Sequence, residues 1–249
     1  MKIIISGIGG RMGREVLKLC QSNYRESVAV CGVDFMGAGE DLGIPVYSSF
    51  SEIKEKADCV IDFSNHAMTQ ALTEFCISTN TPAIIATTGQ TAEERDMILN
   101  AAKTVPMFFS ANMSLGVALL CELAAIAAKT MADADIEIVE AHHNRKLDAP
   151  SGTALMLVDA VKSVRDGMHT VEGRSGQHKR EKNEIGVHSL RLGNVVGEHE
   201  VIIGTDTQTI TLKHEAHTRA LFAEGAVVAA EFVVKQQPGL YAMKDMIKL

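Results

Sequence analysis

Paired cysteines, long apolar runs and positive charge are all scarce in this chain of 249 residues. Its five cysteines, Cys20, Cys31, Cys59, Cys76 and Cys121, form no C-x-x-C pair and fall at apolar positions, so neither a disulfide framework nor a zinc site is indicated. No stretch approaches the roughly 20 apolar residues of a membrane span. The short apolar start meets glycines and Arg11 at once, so a secretory leader is not expected; no membrane partner is expected either, and the cytoplasm is the expected location. With 24 basic residues against 31 acidic ones, the formal charge of −7 argues against nucleic acid as a partner. Internal repeats and low-complexity segments are also missing. What remains is a chain with 46% hydrophobic residues, long enough for one large or two modest domains, whose best partner is a small molecule.

The first half alternates strands and helices. Residues 2–6 are β-branched and end in Gly7-Ile8-Gly9-Gly10-Arg11-Met12-Gly13, followed by a helical pattern with Met12, Val16, Leu19 and Cys20 on one face. Strand, glycine turn and helix together suit a pyrophosphate, which needs close backbone approach and the N–H groups of a helix start. The spacing reads better as G-x-x-G-x-x-G than as the usual fingerprint. Residues 27–33 form a second strand ending in Asp34, placed to accept from an adenosine ribose. Phe35 and Met36 follow, with no Arg or Lys for a 2′-phosphate, so NADH is favoured over NADPH; Arg11 leaves dual use open.

Further strands are read at 59–64, 82–86 and 106–110, each followed by a helix, with Thr91 and Glu94 as a capping box. This alternation implies a parallel sheet with its ligand at the carboxyl ends of the strands. Ser64, Thr87, Thr88 and Asn112 lie at such ends; Ser64 and Thr91 are read as routine caps, the other three as cofactor contacts. Residues 115–130 make an apolar helix in which Leu119, Leu120, Leu123, Ile126 and Ala127 are expected to pack in a core.

Ile136, Ile138 and Ala141 alternate with Glu137 and Glu140 as in a half-buried strand. The turn after it carries His142, His143, Arg145 and Lys146, then Asp148-Ala149-Pro150, and Ser151-Gly152-Thr153 opens a helix with Ala154, Leu157, Val158 and Val161 on one face. Four potential cations beside a helix N-terminus, in an acidic protein, point to a bound anion, and histidine adds a group that exchanges protons near neutral pH. Residues 166–184 lack periodicity and read as a long surface loop. Residues 186–192, 198–203 and 208–214 read as an antiparallel run able to join 136–141, and such a sheet, if apolar on its second face, needs a partner sheet. A final helix covers 219–235.

The motifs G-I-G-G-R-M-G at 7–13, D-F-S at 62–64, T-T-G at 87–89, A-N-M-S at 111–114, E-A-H-H-N-R-K-L-D-A-P-S-G-T-A at 140–154, G-E-H at 197–199 and F-A-E-G-A at 222–226 closely resemble the 4-hydroxy-tetrahydrodipicolinate reductase family over nearly the whole chain. The resemblance implies an α/β protein: a Rossmann-type parallel-sheet domain over 1–112, completed by a C-terminal helix at about 218–249, and an α+β substrate and tetramerisation domain over 113–217 with a mixed sheet. It implies a homotetramer using NADH or NADPH on a dicarboxylate of the diaminopimelate route to lysine. By similarity Gly7, Ile8, Gly9, Gly10, Arg11 and Met12 cradle the pyrophosphate, and Asp34 takes the ribose. Ala86, Thr87, Thr88, Ser110, Ala111, Asn112 and Met113 then line the nicotinamide side, Ala86 standing where glycine is usual. By similarity too, His142 is the acid–base group and Lys146 the proton donor. His143, Gly152 and Thr153 grip the substrate. Hydride transfer to an unsaturated imine leaves an anion to be protonated, which agrees with an imidazole and an ammonium in one turn. A different nicotinamide oxidoreductase acting on a small acid, or a non-catalytic dinucleotide sensor, are the rival readings. Adjacent His142 and His143 project differently from the i, i+4 pair of a zinc helix, which disfavours a metal.

Overall fold

The computed structural model describes residues 1–37 and 41–247. It contains two compact units, Met1–Ser114 with Ala220–Leu249, and Leu115–Arg219. Lys248 and Leu249, the end of the C-terminal segment expected at 218–249, lie outside the described residues.

The first unit runs β1 (Lys2–Ser6), α1 (Arg11–Gln21), β2 (Val28–Val33), β3 (Val46–Tyr47), β4 (Cys59–Asp62), α2 (Thr69–Thr79), β5 (Ala83–Ile85), α3 (Ala92–Ala101) and β6 (Pro106–Phe109). The second runs α4 (Leu115–Thr130), β7 (Asp135–His142), α5 (Gly152–Lys162), β8 (His169–Glu172), β9 (Glu184–Arg191), β10 (Gly197–Gly204) and β11 (Thr209–Ala216). The chain then returns to the first unit with α6 (Ala220–Val233) and β12 (Gly239–Tyr241).

The first sheet has seven parallel strands in the order β12-β6-β5-β4-β1-β2-β3. Its central strands are apolar runs without alternation, as strands covered on both faces must be: Ile3, Ile4, Ile5, Val60, Ile61, Ile84 and Ile85 are fully buried. Helix α1 packs on α6, which also touches β4, β5 and β6, while α2 packs on α3. The buried stripe of α1 is Gly13, Val16, Leu17 and Cys20, turned slightly from the face expected. Strand order reverses beside β1, between β2 and β4, and that opens a crevice at their carboxyl ends. Edge strand β12, beside β6, was not legible in the sequence.

The second sheet is mixed, in the order β11-β10-β7-β9-β8. Only β11-β10-β7 is antiparallel; β9 joins β7, and β8 joins β9, in parallel. The antiparallel run expected for the last three strands is therefore corrected: β7 lies between β10 and β9. The segment expected as a surface loop contributes β8 at the edge, where four residues paired on one side show little burial pattern. Helices α4 and α5 cover one face, burying Ile136, Ile138, Ile185, Val187, Val201 and Ile203 against Leu120, Ala124, Leu157 and Val161. Helix α4 is only half committed to that core. Leu119, Leu123 and Ile126, expected in a core, are 38%, 36% and 49% exposed.

Candidate active site

In the first unit the glycine turn has a steric basis. Gly7 has φ +76°, and a Cβ there would lie 2.5 Å from the Phe63 carbonyl oxygen; at Gly13 it would lie 2.2 Å from the Gly7 carbonyl oxygen. Side chains are thus excluded where β1 passes into α1, and no side chain caps that helix at Gly10. Asp34 accepts the Gly9 N–H at 2.8 Å and the Met36 N–H at 3.1 Å, and an ionised carboxylate retains acceptor sites beyond these. Ser6, Gly7, Gly10, Val33, Asp34, Phe35, Met36, Phe63, Ser64, Asn65, Ala67 and Met68 line a cavity of about 380 Å³. A bare helix start, a glycine floor, a strand-end acid and an apolar wall fit a dinucleotide.

A buried acid that the sequence reading passed over organises the neighbouring strand ends. Asp62 is 2% exposed and accepts from the Ser64 hydroxyl at 2.5 Å and the Thr87 hydroxyl at 2.6 Å. Burial raises its pKa, against hydrogen bonds from Ser6, Ser64 and Thr87 that lower it. Ser64 is thus no routine cap; Asn65 performs that task, while Thr91 and Glu94 form the expected capping box. The Thr87 hydroxyl is committed to Asp62, and Thr88 is exposed. Ala86 is buried and donates its N–H to the Asp62 carbonyl. Beyond β6, the Ser110 hydroxyl donates to the Asn112 carbonyl, the Asn112 side chain accepts the Ser114 N–H, Ala111 is exposed and Met113 is 2% exposed.

In the second unit the face of the sheet toward α5 changes character along its length. Alternation places Ile136, Ile138, Glu140 and His142 on one side of β7, in register with Ile185, Val187, Ser189 and Arg191 of β9. On β10, Ile203, Val201 and His199 stand opposite Ile136, Ile138 and Glu140. The apolar rows give way to polar ones where α5 begins at its N-cap Ser151. Glu140 was expected on the solvated side with Glu137; it is fully buried beside the core positions instead. Its burial is tolerated because donors saturate it: Arg191 by two bonds at 2.8 and 2.9 Å, His142 Nδ1 at 2.6 Å and the Ser151 N–H at 3.2 Å. Burial pushes its pKa up, but bonds from Arg191, His142 and Ser189 prevail and hold it at about 2.

Around this carboxylate sit the residues proposed from sequence. The His142 ring packs edge-on against His199, with centroids 5.2 Å apart, and His199 Nε2 is hydrogen-bonded to the Ser151 hydroxyl at 3.0 Å. Burial, reinforced by the nearby His142, lowers the His199 pKa to about 4. His143 is lowered by burial and then by Arg145 and Arg219. Lys146 pairs with Asp148 at 2.8 Å, and that ammonium lowers the Asp148 pKa. Gly152 is exposed at the first turn of α5 and Thr153 is half-buried. His142, His143, Lys146, Gly152 and Thr153 therefore belong to one turn of the second unit, and the residues from Gly7 to Met113 named above belong to the first. Ser151 opens α5 as expected, whereas the parts played by Arg191 and His199 and the buried placement of Glu140 were missed. The period-two spacing of Glu140 and His142 was the available signal.

Comparison with known proteins agrees across both units. Family models described as "Dihydrodipicolinate reductase, N-terminus" and "Dihydrodipicolinate reductase, C-terminus" match residues 1–113 and 116–247. A 4-hydroxy-tetrahydrodipicolinate reductase of Caldanaerobacter subterraneus subsp. tengcongensis is 46% identical, the match covering 100% of this chain and 98% of the relative. One from Clostridium novyi is 42% identical, over 99% of this chain and 98% of the relative. A solved dipicolinate-bound dihydrodipicolinate reductase from Paenisporosarcina sp. TG-14 superposes with a TM-score of 0.85 at 25% identity, covering 99% of both chains. This chain belongs to the dihydrodipicolinate reductase family, oxidoreductases of lysine and diaminopimelate biosynthesis that use a pyridine nucleotide.

Proposed function

We propose that this chain reduces 4-hydroxy-tetrahydrodipicolinate to tetrahydrodipicolinate, consuming one NAD(P)H and one proton and releasing one water. The observation that carries the reading is the turn between β7 and α5, which gathers His142, His143, Lys146, Gly152 and Thr153 at a helix start. Such a turn favours carboxylates, and the substrate has two. The Paenisporosarcina relative, solved with dipicolinate bound, supports a dicarboxylate of that size.

Gly7, Ile8, Gly9, Gly10, Arg11 and Met12 hold the pyrophosphate, Asp34 the adenosine ribose, and Ala86, Thr87, Thr88, Ser110, Ala111, Asn112 and Met113 the nicotinamide side. A bound nicotinamide would supply hydride to the substrate ring. His143, Gly152 and Thr153 orient the carboxylates; Lys146 gives a proton to the resulting enamine-like anion, with Asp148 as its partner before substrate enters. His142 serves as the acid–base group through Nε2, because Nδ1 is engaged by Glu140. Exposed Phe35 and Met36 after Asp34 offer no cation to a 2′-phosphate, so NADH is the better cofactor. No helix of the described residues is long and apolar enough to cross a membrane. The uncovered Leu119, Leu123 and Ile126 support a homotetramer, placed in the cytoplasm.

Steady-state oxidation of NADH and NADPH by the purified chain with enzymatically generated substrate tests the reading. Turnover with a lower KM for NADH is expected; no substrate-dependent oxidation of either nucleotide would overturn it.

A further inference from the structure

Glu140 is a fully buried acid two residues before the proposed acid–base histidine, and it neither grips the substrate nor delivers a proton in the proposed reaction. Its oxygens receive two Arg191 N–H bonds, the Ser151 N–H and His142 Nδ1. Arg191 also donates to the Asp148 carbonyl at 2.6 Å, linking the acid to the turn that bears Lys146. A carboxylate held ionised only accepts, so the proton in the 2.6 Å contact belongs to His142 Nδ1. That proton fixes the tautomer in which the ring is neutral, with its lone pair on Nε2. Nε2 faces Gly197, where a Cβ would stand 3.1 Å away, so the missing side chain leaves that nitrogen its space.

We infer that Glu140, clamped by Arg191, is a positioning residue that fixes the tautomer and orientation of His142 for proton exchange at Nε2. The inference rests on the acid–base reading of His142. A carboxylate behind an imidazole orients the ring and stabilises its protonated form, and it need not change protonation itself. Three strands build the arrangement in register: Glu140 and His142 from β7, Ser189 and Arg191 from β9, Gly197 and His199 from β10, closed by Ser151 at the start of α5. The charged and titratable groups around His142 are Glu140, Arg191, His199, His143 and Lys146, with His214 of β11 beyond His199.

The test compares Glu140→Gln, His142→Asn and the double variant by kcat, KM and pH profile. It adds ¹⁵N chemical shifts of the His142 ring nitrogens in the wild type and in Glu140→Gln. Glu140→Gln should lower kcat at least about tenfold, within the roughly 10²- to 10⁴-fold that an acid–base group contributes, with KM near the wild-type value. The pH profile of kcat should change in Glu140→Gln but not when the same substitution is made in His142→Asn, because the carboxylate acts through that ring. In the His142→Asn background Glu140→Gln should cost nothing more, and the wild-type ring should show the Nδ1–H signature that the variant loses. Equal losses in both backgrounds, or an unchanged tautomer, would overturn the inference. Should Glu140→Gln not fold, Arg191→Lys, which keeps the charge but loses the paired bonds, is read in the same way. Full activity of His142→Asn would instead remove the acid–base reading, a result separate from the tautomer measurement.

Discussion

His142 Nδ1 stands 2.6 Å from Glu140 Oε2, on the strand face that carries Ile136 and Ile138 into the core. That contact joins the stability of the second unit to the chemistry of its turn, since the acid that aligns the ring is also buried beside core positions.

Arg191→Ala removes the strongest donors to a carboxylate that has no access to water. Breaking one side of a buried pair costs about 3–5 kcal/mol. For a chain of this size, thermal unfolding should move down by roughly 2–4 °C for each kcal/mol, as calorimetry would record. A midpoint equal to that of the wild type would refute the clamp.

Stability should depend on His199 between the ordinary histidine value of 6.5 and about 4. Its folded-state pKa is depressed, so the unfolded chain binds the proton first; the contribution is complete above 6.5 and is lost as pH falls through about 4. Urea midpoints measured across this window should fall less in His199→Gln than in the wild type. Parallel curves for the two proteins would remove His199 as the cause.

Gly197→Ala places a methyl 3.1 Å from His142 Nε2. The ring must shift by a few tenths of an ångström, and kcat should drop about tenfold or more, since misplaced acid–base groups lose much of their effect. Binding of NADH followed by fluorescence should be unchanged. An unaltered kcat would show that Nε2 works elsewhere.

Lys146→Ala should reduce turnover by roughly 10²-fold or more if the ammonium delivers the proton. Asp148→Asn, which removes only its resting partner, should retain most activity, because Asp148 is largely solvent-exposed. Near-normal turnover of Lys146→Ala would exclude it as the donor.

Replacing Asp34-Phe35 by Ser-Arg should move the nicotinamide preference toward NADPH, since the ribose acceptor is lost and a cation for the 2′-phosphate is gained. The ratio of kcat/KM for NADH and NADPH measures this, and a ratio unchanged from the wild type would place discrimination outside this strand end.

Local patterns were enough to show much of this protein in its sequence. Uninterrupted β-branched runs such as Lys2–Ser6 and Cys59–Asp62 announce strands buried on both faces, and Thr91 with Glu94 announces a helix start, because each depends on neighbours within a few residues. The turn from His142 to Thr153 was legible for the same reason: its cations and its helix start are contiguous. Pairing between distant strands was not. A four-residue strand such as His169–Glu172 carries too little pattern to reveal itself, and nothing local says that β9 lies beside β7 rather than β10.

Glu140 marks the boundary between the two kinds of information. The chain alone determined that a strand ends in histidines and a cationic turn, since composition and spacing suffice for that. Whether its glutamate faces water or core was decided only when β9 brought Arg191 alongside and α5 brought the Ser151 N–H. An acid is stable out of water only when donors from elsewhere in the chain reach it, and those donors stand 51 and 11 residues away along the sequence.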